Sequence, residues 1–358
     1  MDIKSLFSIK AKPIIGLDIS SSSVKFVELT GDGKTGAYTL ERYAIEPLPR
    51  GAVADGNIAN MDAVSEAIGR AIRKMGSGVK YVAVALPPAA VITKRVIMQG
   101  DMREQEMEAQ VESEASQYIP FAIEEVNLDF QVLGPAPGDG EDVSVLIAAS
   151  RKEKVEDRVA VAEAAGLRVS VVDVESHATE RACEVILTGF PNAGKNKIFA
   201  LIDIGASVMN VTILRNGEAL FTRELNTGGN QLTQDISRQY GMSFEEAESA
   251  KRAGTLPDGY EQALLKPFMD NLALEVSRGL QFFFTSTQYN QVDEVLLAGG
   301  GAGIRGLAEG VGRRTQLPTS LVNPFSGFSL SSKIQEKKLS VDAPALLTAC
   351  GLAMRRFD

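Results

Sequence analysis

The sequence predicts an α/β protein of two lobes, built on a duplicated strand–turn–strand unit, with a small α+β block set into its first half. Three observations carry that expectation. Ile14 to Leu29 reads as two short strands joined by Ser20-Ser21-Ser22-Ser23, and Ile198 to Leu214 as two more joined by Gly205-Ala206-Ser207. The motifs Asp18-Ile19-Ser20-x-Ser22 and Asp203-Ile204-Gly205-x-Ser207 superpose at one constant offset, close to half of the 358 residues, the mark of an internal repeat. From 79 to 165 the repeat is interrupted by strands that flank an acidic helix.

The elements follow in order. Ile14 to Ile19 is an apolar run stopped by serines, and Val24, Phe26 and Val27, with Lys25 and Glu28 between them, suit a partly covered strand. A strand near Gly36 to Ile45 precedes a helix from Met61 to Met75, whose apolar residues at 61, 64, 68, 72 and 75 keep helical spacing until Gly76 and Gly78 end it. Tyr81 to Leu86 is a strand stopped by Pro87-Pro88, and Ala90 to Met98 is another. Asp101 to Tyr118 reads as a helix with Met107, Val111, Ala115 and Tyr118 on one face, broken by Pro120. Strands near Val126 to Leu133 and Val143 to Ala149 flank a glycine- and proline-rich tip, Gly134 to Asp142, the stretch that most resembles a disordered one. A helix from Arg151 to Ala165 leads into the strand Arg168 to Asp173. After the second hairpin come helices Gly229 to Tyr240, Ser243 to Ala253 and Tyr260 to Tyr289. The strand Val292 to Leu297 then runs into Ala298-Gly299-Gly300-Gly301-Ala302-Gly303, a helix from Ile304 to Gly312 follows directly, and an alanine-rich helix, Ala343 to Arg355, closes the chain.

Composition removes several functions. A net charge of -9 argues against nucleic acid as a partner, because phosphate backbones need basic faces. No run of about 18 apolar residues exists to span a bilayer. The arm Met1 to Pro13 carries Lys4, Lys10 and Lys12 around a short apolar patch, Leu6 to Ile9, too short for a signal-peptide core; it reads as a solvated arm or a contact with a membrane surface. Cys183 and Cys350 lie in helix-like surroundings and read as buried thiols of a reducing compartment, so the expected location is cytoplasmic. His177 is a core, surface or catalytic residue, and without CxxC or HxxxH spacing no zinc site is expected.

The chemistry sits in the hairpins. Successive turn N–H groups form nests that cradle phosphates, and a carboxylate at each strand end would repel those phosphates unless a cation intervened. Asp18 and Asp203 therefore suit Mg2+, which takes few carboxylates alongside phosphate oxygens and water, and Lys25 suits a further phosphate charge. The alternative is a pair of ordinary hairpins with turn-capping aspartates. Gly299 to Gly301 lets something flat or anionic approach the backbone, but lacks both GxGxxG and a GKS/T ending. Gly189, Gly194 and Lys195 have the spacing of a phosphate-binding loop, yet Asn196 replaces the Ser or Thr and the helix comes before the strand, so this stretch reads as a linker.

Ile14 to Leu29, Leu201 to Leu214, Glu294 to Val311 and Pro344 to Met354 resemble, in order, the phosphate-1, phosphate-2, adenosine and connecting-helix segments of the actin-like ATPase superfamily, a ribonuclease-H-like duplicated two-lobed fold. Gly228-Gly229-Asn230-Gln231-Leu232-Thr233-Gln234-Asp235-Ile236 and Glu246-Ala247-Glu248-Ser249-Ala250-Lys251 are similar to its FtsA branch, and the block 79–165 stands where FtsA carries its inserted α+β subdomain. Tyr118-Ile119-Pro120-Phe121, Glu175-Ser176 and the chain's size resemble the PilM family of that branch.

The resemblance implies a lobe I core (1–78, 166–196), the inserted subdomain (79–165), a lobe II core (197–227, 292–358) and a helical subdomain (228–291). It implies Mg2+ at Asp18 and Asp203, mostly through water; phosphate at Ser20, Ser21, Ser22, Ser23 and Lys25 and at Gly205, Ala206 and Ser207; and close passage of the nucleotide by Gly228 and Gly229. Glu248 and Lys251 would meet ribose or adenine, and Gly299, Gly300 and Gly301 would line the adenine pocket. Glu175 would orient the attacking water; from the residues alone a surface helix cap reads as well. The expected protein is an ATP-bound scaffold of a type IV pilus or related secretion machine, with slow or no hydrolysis, whose partners are the N-terminal cytoplasmic tail of the inner-membrane protein PilN, the pilus motor complex and further copies of itself. Tyr118, Ile119 and Phe121 would meet the PilN tail, unless Ile119 and Phe121 plug the subdomain core. FtsA-type chains extend past the connecting helix to an amphipathic anchor, whereas this sequence stops at Arg355-Arg356-Phe357-Asp358, so recruitment to the cytoplasmic face of the inner membrane would run through a partner. Its first turn is also serine-rich where relatives have glycine. The rival functions are a filament-forming cytoskeletal ATPase, a binder that never hydrolyses, and a small-molecule kinase, for which no second polar cluster is evident.

Overall fold

The computed structural model describes residues 13–32, 37–138 and 140–357. The N-terminal arm and position 139 of the glycine- and proline-rich tip lie outside the described residues. The chain divides into two compact units: Met1–Phe26 with Ala44–Ala178, and Val27–Tyr43 with Thr179–Asp358.

The first unit contains β1 (Ile14–Ile19) and the start of β2 (Ser23–Asp32), the end of β3 (Ala37–Pro47), the two-residue strands β4 (Val53–Ala54) and β5 (Asn57–Ile58), and α1 (Met61–Met75). β6 (Tyr81–Leu86) follows. Next comes an inserted run of β7 (Ile92–Gln99), α2 (Glu104–Ala115), β8 (Val126–Pro135) and β9 (Asp142–Arg151). The unit ends on α3 (Lys152–Ala164), β10 (Arg168–Val174) and the first turn of α4 (Glu175–Thr188). β1 and β10 flank β6 in parallel, with Tyr81 opposite both Ile14 and Arg168. Burial on both faces explains why β1 and β6 read as continuous apolar runs. α1 has the expected ends for a physical reason: the Asn60 side chain accepts the Ala63 N–H, and Gly76 closes the helix at a left-handed φ of 64°. Its Val64, Ile68 and Ile72 pack with Ile15, Leu17, Phe26, Val82 and Val84 in the core of this unit, while Met61 lies exposed.

The inserted run is an antiparallel sheet in the order β7-β9-β8, covered on one face by α2 through Met107 and Val111 against Met98, Val145 and Ile147. α2 is shorter than its sequence pattern. Glu106 accepts the Arg103 backbone N–H at 3.1 Å, which starts the helix at Glu104, and Tyr118 lies beyond its end in a turn, donating its N–H to Ala115 at 3.2 Å. The glycine- and proline-rich tip closes as a hairpin, with the Ala136 N–H on the Asp142 carbonyl at 2.8 Å.

The second unit is built on β11 (Ile198–Ile204), β12 (Met209–Arg215) and β13 (Glu218–Leu225), an antiparallel meander, with β14 (Glu294–Ala298) and β15 (Thr319–Leu321) parallel on the other side of β11. Its helices are α5 (Gly229–Tyr240), α6 (Phe244–Ala253), α7 (Lys266–Ser286) and α8 (Leu307–Thr315), followed by β16 (Ser329–Leu330), α9 (Glu336–Asp342) and α10 (Leu347–Met354). The expected helix from Tyr260 to Tyr289 is helical without a break from Tyr260 to Ser286. A π-type turn occupies Glu261–Leu265 within it, beside Pro267, which has no N–H to continue a ladder. α8 begins at Leu307, three residues later than expected, because Gly306 takes a left-handed φ of 88°. A 3-10 turn with Pro344 likewise delays α10 to Leu347. Cys183 and Cys350 are both buried, as expected, and burial pushes the Cys183 thiol up to about 12, with Glu180, Asp203 and Glu184 adding to it.

Candidate functional site

The two hairpins close with the same bond. The Ser20 N–H donates to the Ser23 carbonyl at 3.0 Å and the Gly205 N–H to the Val208 carbonyl at 2.9 Å, equivalent positions of the repeat. The flanks agree as well, since the first strand of each hairpin has a parallel neighbour, β6 beside β1 and β14 beside β11. Both turns therefore spend their first amide on closure, which leaves neither Ser20 N–H nor Gly205 N–H for a ligand.

In the first hairpin Asp18 is 6% exposed. Lys25, across the turn, donates from Nζ to Asp18 Oδ2 at 2.7 Å and to Ser20 Oγ at 3.0 Å. Ser20 Oγ donates to the Ser23 carbonyl at 2.9 Å, and the Ser22 carbonyl accepts the Leu48 N–H at 2.9 Å. Lys25 thus binds the strand-end carboxylate, a contact that the sequence did not foreshadow. Sequence reasoning also missed Arg158. It is 2% exposed on α3 and donates to the Ile19 carbonyl at 3.0 Å and the Gly56 carbonyl at 2.8 Å. Burial lowers its pKa, while Glu175, Asp18 and Asp157, in that order, hold it up. The signal was legible: Arg158 sits at the spacing of Val155, Val161 and Ala162, a cation on an apolar helix face. Glu175 opens α4, half-buried, and His177 lies two residues on in the same turn.

In the second hairpin Asp203 pairs with Ala298 on β14 and Asn210 on β12. The glycine run that follows β14 is explained residue by residue. A Cβ on Gly299, whose φ is 85°, would lie 2.3 Å from Asp203 Oδ1 and 2.4 Å from the Ile204 carbonyl. One on Gly301 would lie 2.5 Å from Ile204 Cγ2, and one on Gly300 would meet nothing within 4 Å. Only the outer two glycines are needed for packing; Gly300 leaves open space. Gly228 approaches as closely, its absent Cβ 2.6 Å from the Ala206 carbonyl. The first amides of α5 are already used, Gly229 N–H on the Gly205 carbonyl at 3.0 Å and Asn230 N–H on the Ala206 carbonyl at 2.8 Å, and Asn230 Nδ2 donates to Ser207 Oγ at 3.1 Å.

Glu248 and Lys251 are brought together on α6 against α5. The fully buried Thr233 donates from Oγ1 to Glu248 Oε2 at 2.6 Å and accepts from Lys251 Nζ at 2.6 Å; Lys251 also pairs with Glu248 at 2.5 Å and reaches the Gly229 carbonyl at 3.4 Å. α6 is aimed by its capping box, in which Ser243 and Glu246 each accept the other's N–H. Burial pushes Glu248 up, but Lys251 beside it, with hydrogen bonds from Lys251, Thr233 and Arg252, leaves its pKa below the usual carboxylate value; burial takes Lys251 below its own despite that partner.

Among the described residues no group of three or more His, Cys, Asp or Glu side chains could hold a metal ion. That does not disqualify Mg2+, which takes one or two carboxylates and completes its shell with phosphate and water. The ammonium of Lys25 on Asp18 shows that this carboxylate attracts a cation, so the donor set fits the ion as a nucleotide complex and not as a bare metal centre.

The remaining candidates separate. Ile119 is 6% exposed and packed with Ala115, Val126 and Ala149, in line with the core-plug alternative kept open for it. Phe121 is 40% exposed with the Arg151 guanidinium 5.3 Å from its ring, and the ring of Tyr118 lies under Lys94 Nζ at 4.5 Å. The stretch Gly189 to Asn196 lies between α4 and β11, a helix before and a strand after, with Asn192, Ala193 and Asn196 left-handed.

The model of the type IV pilus assembly protein PilM family matches residues 16–357. A chain of the solved PilM-PilN type IV pilus biogenesis complex is 31% identical, with a TM-score of 0.79, covering 97% of this chain and 99% of that one. Ethanolamine utilization protein EutJ from Carboxydothermus hydrogenoformans (17% identity, TM-score 0.56, covering 95% and 89%) and MreB5 of Spiroplasma citri bound to ADP (14%, 0.50, 96% and 95%) share the fold alone. The cell division protein FtsA of Streptococcus pneumoniae is 28% identical over 259 residues, 66% of this chain and 54% of that protein, so the chain spans about half the length of this curated relative. The fold is the actin-like one, with the FtsA-like affinity expected from the sequence.

The packing at Asp203 yields a paired prediction. Gly299→Ala forces a side chain into a left-handed position against Asp203 and Ile204 and destabilises the protein by about 2 kcal/mol or more in urea denaturation, whereas Gly300→Ala stays within about 0.5 kcal/mol of wild type. Equal midpoints for the two variants would contradict the assigned packing.

Proposed function

The chain belongs to the PilM family of type IV pilus assembly proteins, and from that premise we propose that it is an ATP-binding scaffold at the cytoplasmic face of an inner-membrane pilus assembly complex. The observation that carries the nucleotide reading is the repeated hairpin, closed by the same turn bond in each copy and ending its first strand on an aspartate. Both hairpins serve one Mg-ATP. Asp18 and Asp203 would hold the Mg2+, mostly through water; when bound, that ion would neutralise polyphosphate charge beside the two carboxylates. Lys25 leaves Asp18 for a phosphate oxygen, and the turn residues Ser20 to Ser23 and Gly205 to Ser207 hold the phosphates. The open space at Gly300 suits the flat adenine, with Glu248 and Lys251 toward the ribose or base. Glu175 orients water, and turnover is slow or absent, in keeping with a scaffold whose bound state matters more than its rate. The four-part division expected from the sequence, with 79–165 as an inserted subdomain, describes where these roles lie.

The partner follows from the family and from the surface. In the related solved complex a PilM is bound to PilN, and we assign the N-terminal cytoplasmic tail of a PilN-type protein to this chain beside the β7-β9-β8 sheet, where Phe121 is exposed. Contact with the pilus motor complex and self-association belong to the same reading, and recruitment to the membrane runs through these partners. No helix among the described residues is long and apolar enough to cross a membrane.

ATP with Mg2+ at a hundred times its dissociation constant is expected to stabilise the folded protein by about 2.7 kcal/mol, read as a rise in melting temperature. Asp203→Ala should abolish most of the Mg-dependent part. Identical melting curves with ATP, with ADP and without nucleotide would remove the reading.

A synthetic PilN-tail peptide is expected to bind at micromolar affinity or better, about -8 kcal/mol. Phe121→Ala should weaken that binding about tenfold while leaving the ATP-induced shift unchanged. A peptide footprint confined to the second unit in hydrogen exchange would contradict the assignment.

A further inference from the structure

A cation as buried as Arg158 is costly unless its surroundings compensate it. Nη1 is spent on the Ile19 carbonyl at 3.0 Å and Nη2 on the Gly56 carbonyl at 2.8 Å, while the balancing negative charge comes from Glu175, Asp18 and Asp157. Ile19 is the last residue of β1, so its carbonyl lies between Asp18 and the serine turn. Gly56 belongs to the tight turn between β4 and β5, where Asp55 and Gly56 are both left-handed. A planar guanidinium holds two carbonyls at a fixed separation, which a flexible ammonium does not. One side chain thereby ties the end of β1 to a second tight turn and brings a positive charge to the strand end that carries Asp18.

We propose that Arg158 is the positioning residue of the first phosphate hairpin: it clamps the Ile19 carbonyl to the Gly56 turn so that Asp18 is presented in a single orientation to the Mg2+ of a bound nucleotide. The inference rests on the nucleotide reading above and adds a residue to it. Arg158 touches neither nucleotide nor metal, so its effect is on how well Mg2+ strengthens binding.

The test measures ATP dissociation constants in Mg2+ and in EDTA for the full chain as wild type, Arg158→Lys and Arg158→Gln, alongside melting temperatures. The ratio of the two constants reads the benefit of Mg2+. Arg158→Gln, which removes the charge, is expected to lower that ratio about tenfold, and Arg158→Lys, which keeps the charge and loses the fork, about threefold. A role in packing alone would lower the melting temperature and leave the ratio where it was. Ratios within about twofold of wild type in the folded variants overturn the inference, and if Arg158→Gln does not fold the Lys ratio decides. A wild-type protein that binds ATP in neither condition overturns the nucleotide reading and this inference with it, whereas normal binding with unchanged ratios overturns this inference alone.

Discussion

Asp18 is a carboxylate almost wholly removed from water at the end of a parallel strand, and such a group persists only where positive charge and hydrogen-bond donors surround it. The first unit is arranged around that requirement. β2 brings Lys25 back across the turn onto Oδ2, Ser20 links Lys25 to the turn carbonyl at Ser23, and α3 delivers Arg158 to the next carbonyl along. The serine turn is therefore a charge-compensating device as much as a chain reversal. On the proposed reading, a cation arriving with phosphates would take over the role that Lys25 fills and free the ammonium for the phosphates themselves.

At the equivalent position of the second unit the backbone comes close. Asp203 is half-buried, with Gly299 drawn onto its Oδ1 and the Ile204 carbonyl, Gly301 onto Ile204 and Gly228 onto the turn carbonyls. Glycine is required at these approaches because a Cβ would overlap an oxygen or a carbon at well under contact distance. The duplicated unit has kept its strand order around the hairpin and its turn bond.

The fold and the hairpins were legible because they rest on local signals: the repeat, Asn60 and Gly76 bounding α1, and apolar runs at β1, β6, β11 and β14. What was missed lacked such signals. β13 has no fully buried residue, and β15 and β16 span three and two residues, so none carries a periodic pattern. Where helix ends moved, as at α2 and α8, a capping carboxylate or a left-handed glycine overrode periodicity. Arg158 is instructive in another way, since a charge on an apolar face reads as a flaw in the pattern until the two carbonyls it serves, distant in sequence, are brought beside it. At Ile119 the sequence left partner contact and core plug both open, and the residue lies in the core.

The most direct test of this account is a crystal structure of the protein grown with Mn2+ and a non-hydrolysable ATP analogue, with the metal located by its anomalous signal. The account predicts a single Mn2+ peak on the polyphosphate, bridged by water to Asp18 and Asp203, with Lys25 withdrawn from Asp18 onto a phosphate oxygen. Nucleotide bound away from both turns, with the Lys25–Asp18 pair still at 2.7 Å, would contradict it.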